Sequence, residues 1–83
     1  MKKQEYKKIS VDIFGTKYSL RTDNDPEYVQ KLGQMVDERM RKVSVATHSF
    51  SGMHIGVLTA LELADEYCKL KKQYDDLLDL MEY

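Results

Sequence analysis

The sequence predicts an α+β fold in which a small head, made of a β-hairpin and a short helix, precedes a long C-terminal helix that forms an oligomeric coiled-coil stalk. Alternating apolar residues with a glycine between two runs occupy residues 9–21, which is typical of a hairpin. Helical apolar spacing follows over residues 26–46 and again from residue 53 to the end. We therefore expect the order strand, strand, short helix, long helix in one domain of 83 residues.

The hairpin is expected to turn at Gly15 and Thr16, because glycine at the first loop position suits a two-residue type II′ turn. This register pairs Val11 with Leu20 on the face toward the core. Polar residues alternate with them along both strands and occupy the face toward water. The pattern predicts one covered and one solvated side of the hairpin.

The first helix has a clear start signal, with Asp25 as its N-cap and Pro26 at the first helical position. The helix should run to about Ala46, before a segment rich in turn residues. Apolar residues recur at spacings of three and four along it, as in an amphipathic helix. They are Val29, Leu32, Val36, Met40 and Val43.

The second helix, with Ser51 as its expected N-cap, changes character along its length. Residues 55–64 are apolar on nearly every face, which predicts burial within the head. A heptad seam emerges beyond them, and a helix that is apolar along a seam needs another helix to cover it. The seam, predicted to carry self-association, consists of Ala60, Leu63, Tyr67, Leu70, Tyr74, Leu77 and Met81.

The predicted helix is about 45 Å long, which is more than a compact chain of this size can cover. We therefore divide the chain into a flexible N-terminus of residues 1–8, a head of residues 9–61 and a stalk of residues 62–83. Charges along the stalk come in an acidic, a basic and a second acidic block, which favours an antiparallel crossing of two stalks over a parallel one.

Composition disfavours several classes of function. The net charge is −1, from 13 basic and 14 acidic residues, so no overall attraction to nucleic acid or to an anionic membrane is expected. A single cysteine cannot form an internal disulfide, and no apolar segment has the length of a membrane span. We expect a cytoplasmic protein whose partners include neither nucleic acid nor membrane.

Residue types that carry chemistry are present, but not in a pattern typical of a site. His48 and His54 lack metal-ligand spacing, and a capping or solvated role is expected for them. Cys68 lies beside the seam with no histidine at helical spacing that would activate its thiol, so we expect an inert thiol. The glycines form no phosphate-binding loop. We therefore predict that the protein is not an enzyme and has no catalytic residue, metal site or cofactor.

Two glycines lie inside predicted helices, where each costs about 1 kcal/mol relative to alanine. Gly33 is in the first helix and Gly56 is in the second. Each is either tolerated or marks the close approach of another backbone, and the sequence leaves these two explanations open.

Four collinear motifs together resemble the ZapA family of bacterial cell-division proteins, which associate with the FtsZ ring. They are VDIFG at residues 11–15, SLRTDNDPEYV at residues 19–29, VDERM at residues 36–40 and IGVLTALELADE at residues 55–66. The last motif is similar to the family pattern IAVLAALNIADE. The resemblance covers nearly the whole chain in the family's order.

This resemblance implies a non-enzymatic adaptor at the midcell division site. Its heads would bind FtsZ, and its dimers and tetramers would crosslink and bundle FtsZ protofilaments, promoting assembly and stability of the Z-ring. The arginine that commonly follows the hairpin glycine in the family is Thr16 here, so either Lys17 carries that charge or the contact differs. Charged head residues implicated in FtsZ contact correspond to Lys17, Arg21, Arg39, Arg41 and Lys42.

The alternative function is a small dimeric DNA-binding regulator, because strands and paired helices can form intertwined dimers. The slightly acidic balance of the chain and the lack of a basic recognition helix count against it.

Overall fold

The computed structural model describes residues 5–81, so the first part of the predicted flexible N-terminus and the last two residues of the predicted stalk lie outside the described residues. The Cα radius of gyration is 16.9 Å, compared with about 12 Å for a compact chain of this length. The predicted α+β class and element order are confirmed. The elements are β1 (Lys7–Ile13), β2 (Thr16–Thr22), α1 (Pro26–Thr47) and α2 (Gly52–Met81).

The hairpin is antiparallel, but its register differs from the predicted one. Val11 lies opposite Tyr18, not opposite Leu20, and the two-residue loop is residues 14–15 instead of residues 15–16. The predicted pairing was therefore wrong by two residues. Because side chains alternate with a period of two, the shift leaves the same residues on each face. On the face predicted to be covered, Val11 is 2% exposed but Leu20 is 40% exposed, so the expected burial of Leu20 was wrong.

The turn explains the difference in register. Phe14 has φ of 50° and Gly15 has φ of 80°, and positive φ at both loop residues is the pattern of a type I′ turn instead of type II′. A bulky residue rarely adopts this conformation. The Phe14 N–H donates to Asp37 Oδ1 at 2.7 Å, so a contact from α1 supports the turn.

Strand β1 begins earlier than expected. Lys7 lies opposite Thr22 and Lys8 lies opposite Arg21, so these two lysines belong to the hairpin and not to the flexible N-terminus of residues 1–8. The strand extends this far because β2 continues to Thr22 and pairs with it over seven residues.

Both helices begin as predicted. Asp25 precedes α1 with extended backbone, and its carbonyl accepts the Val29 N–H at 3.1 Å, although its side chain makes no capping hydrogen bond. The Ser51 hydroxyl accepts the His54 N–H at 3.4 Å at the start of α2. Helix α1 ends at Thr47, just beyond the expected Ala46.

The end of α1 gives His48 the predicted capping role. This residue adopts the left-handed conformation with φ of 55°, and its N–H donates to the Ser44 carbonyl. The Ser44 hydroxyl donates to the Ser49 carbonyl, so the connection to α2 is anchored on the last turn of α1. The bond from the His48 N–H satisfies one of the carbonyls that a helix end leaves without partners.

Close packing of α1 on β1 accounts for one of the two helical glycines. A Cβ at Gly33 would lie 3.2 Å from the Cβ of Val11, which is only 2% exposed. Close approach therefore explains Gly33, although the neighbour is the Val11 side chain and not another backbone. At Gly56 an added Cβ would meet nothing within 4 Å.

The core is small and lies where the hairpin turn, the C-terminal half of α1 and the start of α2 meet. Ile55 of α2 is fully buried and packs with Met40 and Val43 of α1. Four partly buried side chains complete this cluster: Ile13, Phe14, Val36 and Leu58.

A pair of substitutions tests which face of the hairpin is covered. Val11→Asp should unfold or severely destabilise the head, because it places a carboxylate against α1 without a partner. Ser10→Asp should be mild, since Ser10 is exposed on the other face. Thermal unfolding followed by circular dichroism measures both effects, and equal losses of thermal stability would reject this assignment of faces.

Candidate functional site

The predicted self-association seam lies on a helix that the rest of the chain leaves uncovered. Every residue from 64 to 81 is exposed. Leu70 is 67% exposed and Tyr67 is 62% exposed, values far above those of core residues. Of the seven seam residues, Leu63 is partly buried and the others are exposed: Ala60, Tyr67, Leu70, Tyr74, Leu77 and Met81.

The first half of α2 is less buried than the sequence predicts. Only Ile55 and Thr59 are buried, whereas Met53, Val57 and Leu61 are 82%, 53% and 62% exposed. The expectation that residues 55–64 are buried within the head was wrong, because α1 covers one side of α2 only.

The exposed residues Met53, Val57 and Leu61, four apart along one face of α2, form what we call the head strip. The predicted self-association set does not contain these residues. The signal for them was present in the apolar character of α2 on all faces. A cover supplied by another chain explains that character as well as burial within one head does.

Arg39 of α1 is bound by two carboxylates of α2, an arrangement we call the Arg39 clasp. Its Nη1 donates to Glu62 Oε1 at 3.1 Å, and its Nη2 donates to Glu66 Oε1 at 2.9 Å. Nη1 also contacts Glu66 Oε2. The hydrogen bond from Arg39 lowers the pKa of Glu66, and the Glu66 carboxylate in turn raises the pKa of Arg39. This guanidinium therefore already has partners within the chain.

Asp37 joins the hairpin turn to a predicted partner-binding residue. Its Oδ1 accepts the Phe14 N–H, and its Oδ2 accepts the Arg41 Nε–H at 3.0 Å. The hydrogen bond from Arg41, followed by the one from Phe14, lowers the pKa of the Asp37 carboxyl. Sequence reasoning did not select Asp37. Its spacing of four from Arg41 was visible, but its contact with a turn 23 residues away was not.

The wet face of the hairpin carries two of the predicted basic contact residues. Lys17 lies opposite Asp12, and Arg21 lies opposite Lys8. Like charges directly opposite on one face of a hairpin repel each other. The pairing therefore places two positive charges, those of Lys8 and Arg21, together on this face.

The five predicted basic residues do not form one patch. Lys17 and Arg21 share the wet face of the hairpin, and Arg41 lies beside the turn. Arg39 is two positions from Arg41, which at 100° per residue places it on the opposite side of α1, toward α2. Lys42 is exposed on α1.

Within residues 5–81, no three histidine, cysteine, aspartate or glutamate side chains are grouped so that they could hold a metal ion. Over the same range, neither helix combines the length and the apolar content needed to span a membrane.

The family model described as "Cell division protein ZapA" matches residues 9–82. The chain belongs to the ZapA family. This confirms the resemblance seen in the four sequence motifs and supports a role in cell division. The family match gives the DNA-binding alternative no support.

Individual ZapA relatives match over nearly their whole length. The Cell division protein ZapA of Geobacillus sp. (strain WCH70) is 31% identical over 78 residues, covering 94% of this chain and 90% of the relative. That of Bacillus thuringiensis (strain Al Hakam) is 31% identical over 83 residues, covering 98% and 93%. Among solved structures, a ZapA mutant dimer from Geobacillus stearothermophilus has a TM-score of 0.77 and 29% identity, covering 100% of this chain and 96% of that one. A dimeric relative supports self-association in this member of the ZapA family.

The hydrogen bonds that Asp37 accepts from Phe14 and Arg41 predict that the stability of the fold depends on pH. Because the pKa of Asp37 is lower in the folded chain than its ordinary value of 3.8, its carboxylate stabilises the fold above that pH. This stabilisation is lost as the pH falls through the folded pKa. Asp37→Asn should therefore lower the melting temperature at about pH 7, and this effect should shrink as the pH falls below 3.8.

Thermal unfolding of parent and Asp37→Asn across this pH range measures the difference. Asp79→Asn, which makes the same change on the exposed outer face of α2, is the control and should match the parent throughout. A difference between parent and Asp37→Asn that is equal at every pH would contradict the role given to this carboxylate.

Proposed function

We propose that this chain is a non-enzymatic cell-division adaptor that binds FtsZ through its head and, as a dimer or tetramer, crosslinks FtsZ protofilaments into bundles. It would act in the cytoplasm at midcell and promote the assembly and stability of the Z-ring. The observation that carries the proposal is a long helix with an exposed apolar seam, projecting from a small head of a ZapA-family chain.

Self-association would allow one particle to bind more than one filament. Joining two or more heads in one particle lets each bind a different filament, and it raises avidity without any new contact. A monomer with the same head could bind a filament but could not link two of them.

The exposed apolar area is sufficient to support association. A large apolar side chain contributes about 1.5 to 3 kcal/mol when it is fully buried. Each chain of a pair contributes its own set, and the combined gain can offset an association cost of roughly 4 to 15 kcal/mol. The large side chains of the seam are at least half exposed: Tyr67, Leu70, Tyr74, Leu77 and Met81.

The head strip adds a second exposed apolar surface near the head, on another side of α2 from most of the seam. Val57 and Leu61 lie on the same helix as the seam and are more than half exposed. We propose that another chain also covers these side chains, because an apolar helix face in water needs a partner to cover it.

The proposed FtsZ contact centres on the wet face of the hairpin, where Lys17 and Arg21 are exposed beside Lys8. Arg41 lies next to the turn and is 61% exposed, so it can extend this basic surface, and Lys42 is exposed nearby on α1. An acidic surface on FtsZ is the complement that such a face requires.

Loss of stalk association should abolish bundling more completely than binding. Leu70→Glu places a carboxylate in the seam, so we expect a particle of lower mass with a folded head that binds filaments without bundling them. Light scattering measures the mass. Co-sedimentation with FtsZ at low and high speed separates bundles from single filaments.

Cys68→Glu is the matched control, because it adds the same charge two residues away and outside the seam, and it should behave as the parent does. Parent mass in Leu70→Glu at micromolar concentration would show that the seam is wrongly assigned. Bundling by this variant at the parental level would contradict the requirement for association.

Reversal of the hairpin charges should impair binding to FtsZ and leave association of the chains unchanged. Lys17→Glu combined with Arg21→Glu should weaken FtsZ binding and leave the particle mass intact, because both side chains lie on the wet face of the hairpin. Binding is measured by high-speed co-sedimentation over a range of salt. Lys31→Glu on α1 is a single-reversal control that should bind as the parent does. Unchanged affinity of the double variant at every salt concentration would move the contact away from the hairpin.

A further inference from the structure

The packing between the two helices of one chain is short. Thr59 is the last buried residue of α2, Leu63 is partly buried, and residues 64–81 are exposed. Among the described residues, the polar side-chain contacts that join α1 to α2 all come from Arg39. They reach Glu62 and, one turn farther along α2, Glu66.

The Arg39 clasp constrains the orientation of α2 relative to α1 as well as the distance between the two helices. A guanidinium that binds a carboxylate through two nitrogens is held in a planar fork, and a lysine in its place would act only as a point charge. Arg39 makes two contacts with Glu66 and a third with Glu62. Its side chain is 27% exposed, compared with 50% and 53% for the two glutamates. The cation is thus partly shielded between the helices.

We infer that Arg39 is a positioning residue that fixes the direction of the stalk relative to the head. From Glu66 to Asp79 the helix extends about 20 Å, so a tilt of about 10° at the clasp moves the distal end by about 3 Å. In a particle whose stalks are joined, the distance between the heads depends on the angle between each stalk and its head. The angle is a property of the chain alone, and only its effect on the spacing of filaments rests on the proposed function.

This role differs from the one that the sequence resemblance implies for the same residue. A side chain that binds FtsZ must offer its guanidinium to the partner, whereas Arg39 directs it toward two carboxylates of its own chain. The two roles make opposite predictions when Arg39 is replaced. A positioning residue changes the direction of the stalk, and a partner contact changes the affinity for FtsZ.

The direction of the stalk can be measured without FtsZ. Spin labels are placed on cysteines introduced at Ser10 in the hairpin and Asp79 in the stalk, with Cys68→Ser to remove the native thiol. Dilution of the labelled chain into an excess of unlabelled parent makes the distance measured by double electron–electron resonance one within a single chain. The parent should give one narrow distribution of distances.

Loss of the clasp should broaden that distribution and shift its mean by about 3 Å for each 10° of tilt. Arg39→Ala and the nearly isosteric Glu66→Gln should both show this change, and circular dichroism establishes that each is folded. Glu66→Gln provides the test if Arg39→Ala fails to fold. A mean and width equal to those of the parent in either folded variant would overturn the inference.

An exchange of charges separates pairing from other effects of substitution. Arg39→Glu alone places three carboxylates together and should give a broader distribution than Arg39→Ala. Addition of Glu66→Arg restores an opposite pair and should narrow the distribution again. A double variant as broad as Arg39→Glu would show that ion pairing does not set the direction.

Measurements of FtsZ binding and bundling then distinguish the two roles of Arg39. Arg39→Ala should bind FtsZ filaments with parental affinity in high-speed sedimentation and should change the spacing of filaments within bundles seen by electron microscopy. Weaker binding with an unchanged label distance would identify Arg39 as a partner contact and overturn the inference. If the parent itself fails to bind FtsZ, the proposed function fails, and the label distances still decide the role of the clasp.

Discussion

The length of α2 is the constraint on which the rest of the molecule depends. Its 30 residues extend about 45 Å, but packing against α1 buries only residues near its start. The distal part is left with apolar side chains in water, which is unfavourable for an isolated chain and favourable for an assembly. Oligomerisation, the multivalency of the heads and the proposed crosslinking of filaments all follow from this uncovered helix.

The head is small, and a few specific contacts organise it. Gly33 lets α1 approach Val11 closely, and Asp37 holds a turn whose first residue, Phe14, has an unfavourable backbone conformation. A domain of this size buries a limited fraction of its surface, so burial against another chain would add to its stability through mass action. Assembly and the stability of the head are therefore coupled.

Local signals in the sequence predicted the elements, and contacts between distant residues account for what it missed. The helix start at Ser51 depends on neighbouring residues and was predicted correctly. The hairpin register was wrong because the turn conformation of Phe14 is supported by Asp37, which lies 23 residues away. The internal partners of Arg39 were missed for the same reason, since its contact with Glu66 depends on how the two helices cross. The apolar segment of residues 55–64 was visible, but its pattern does not say whether the same chain or a second one covers it.

Assembly depends on cover of the exposed face of α2 by a second chain. Amide hydrogen exchange of residues 67–81, followed by mass spectrometry over a dilution series, tests it most directly, because a buried helix is protected and a solvated one opens readily. A helix covered by a second chain should exchange slowly at high protein concentration and faster on dilution, as the particles dissociate. Rapid exchange of this segment at every concentration would show that the helix stands alone in water and would contradict such cover.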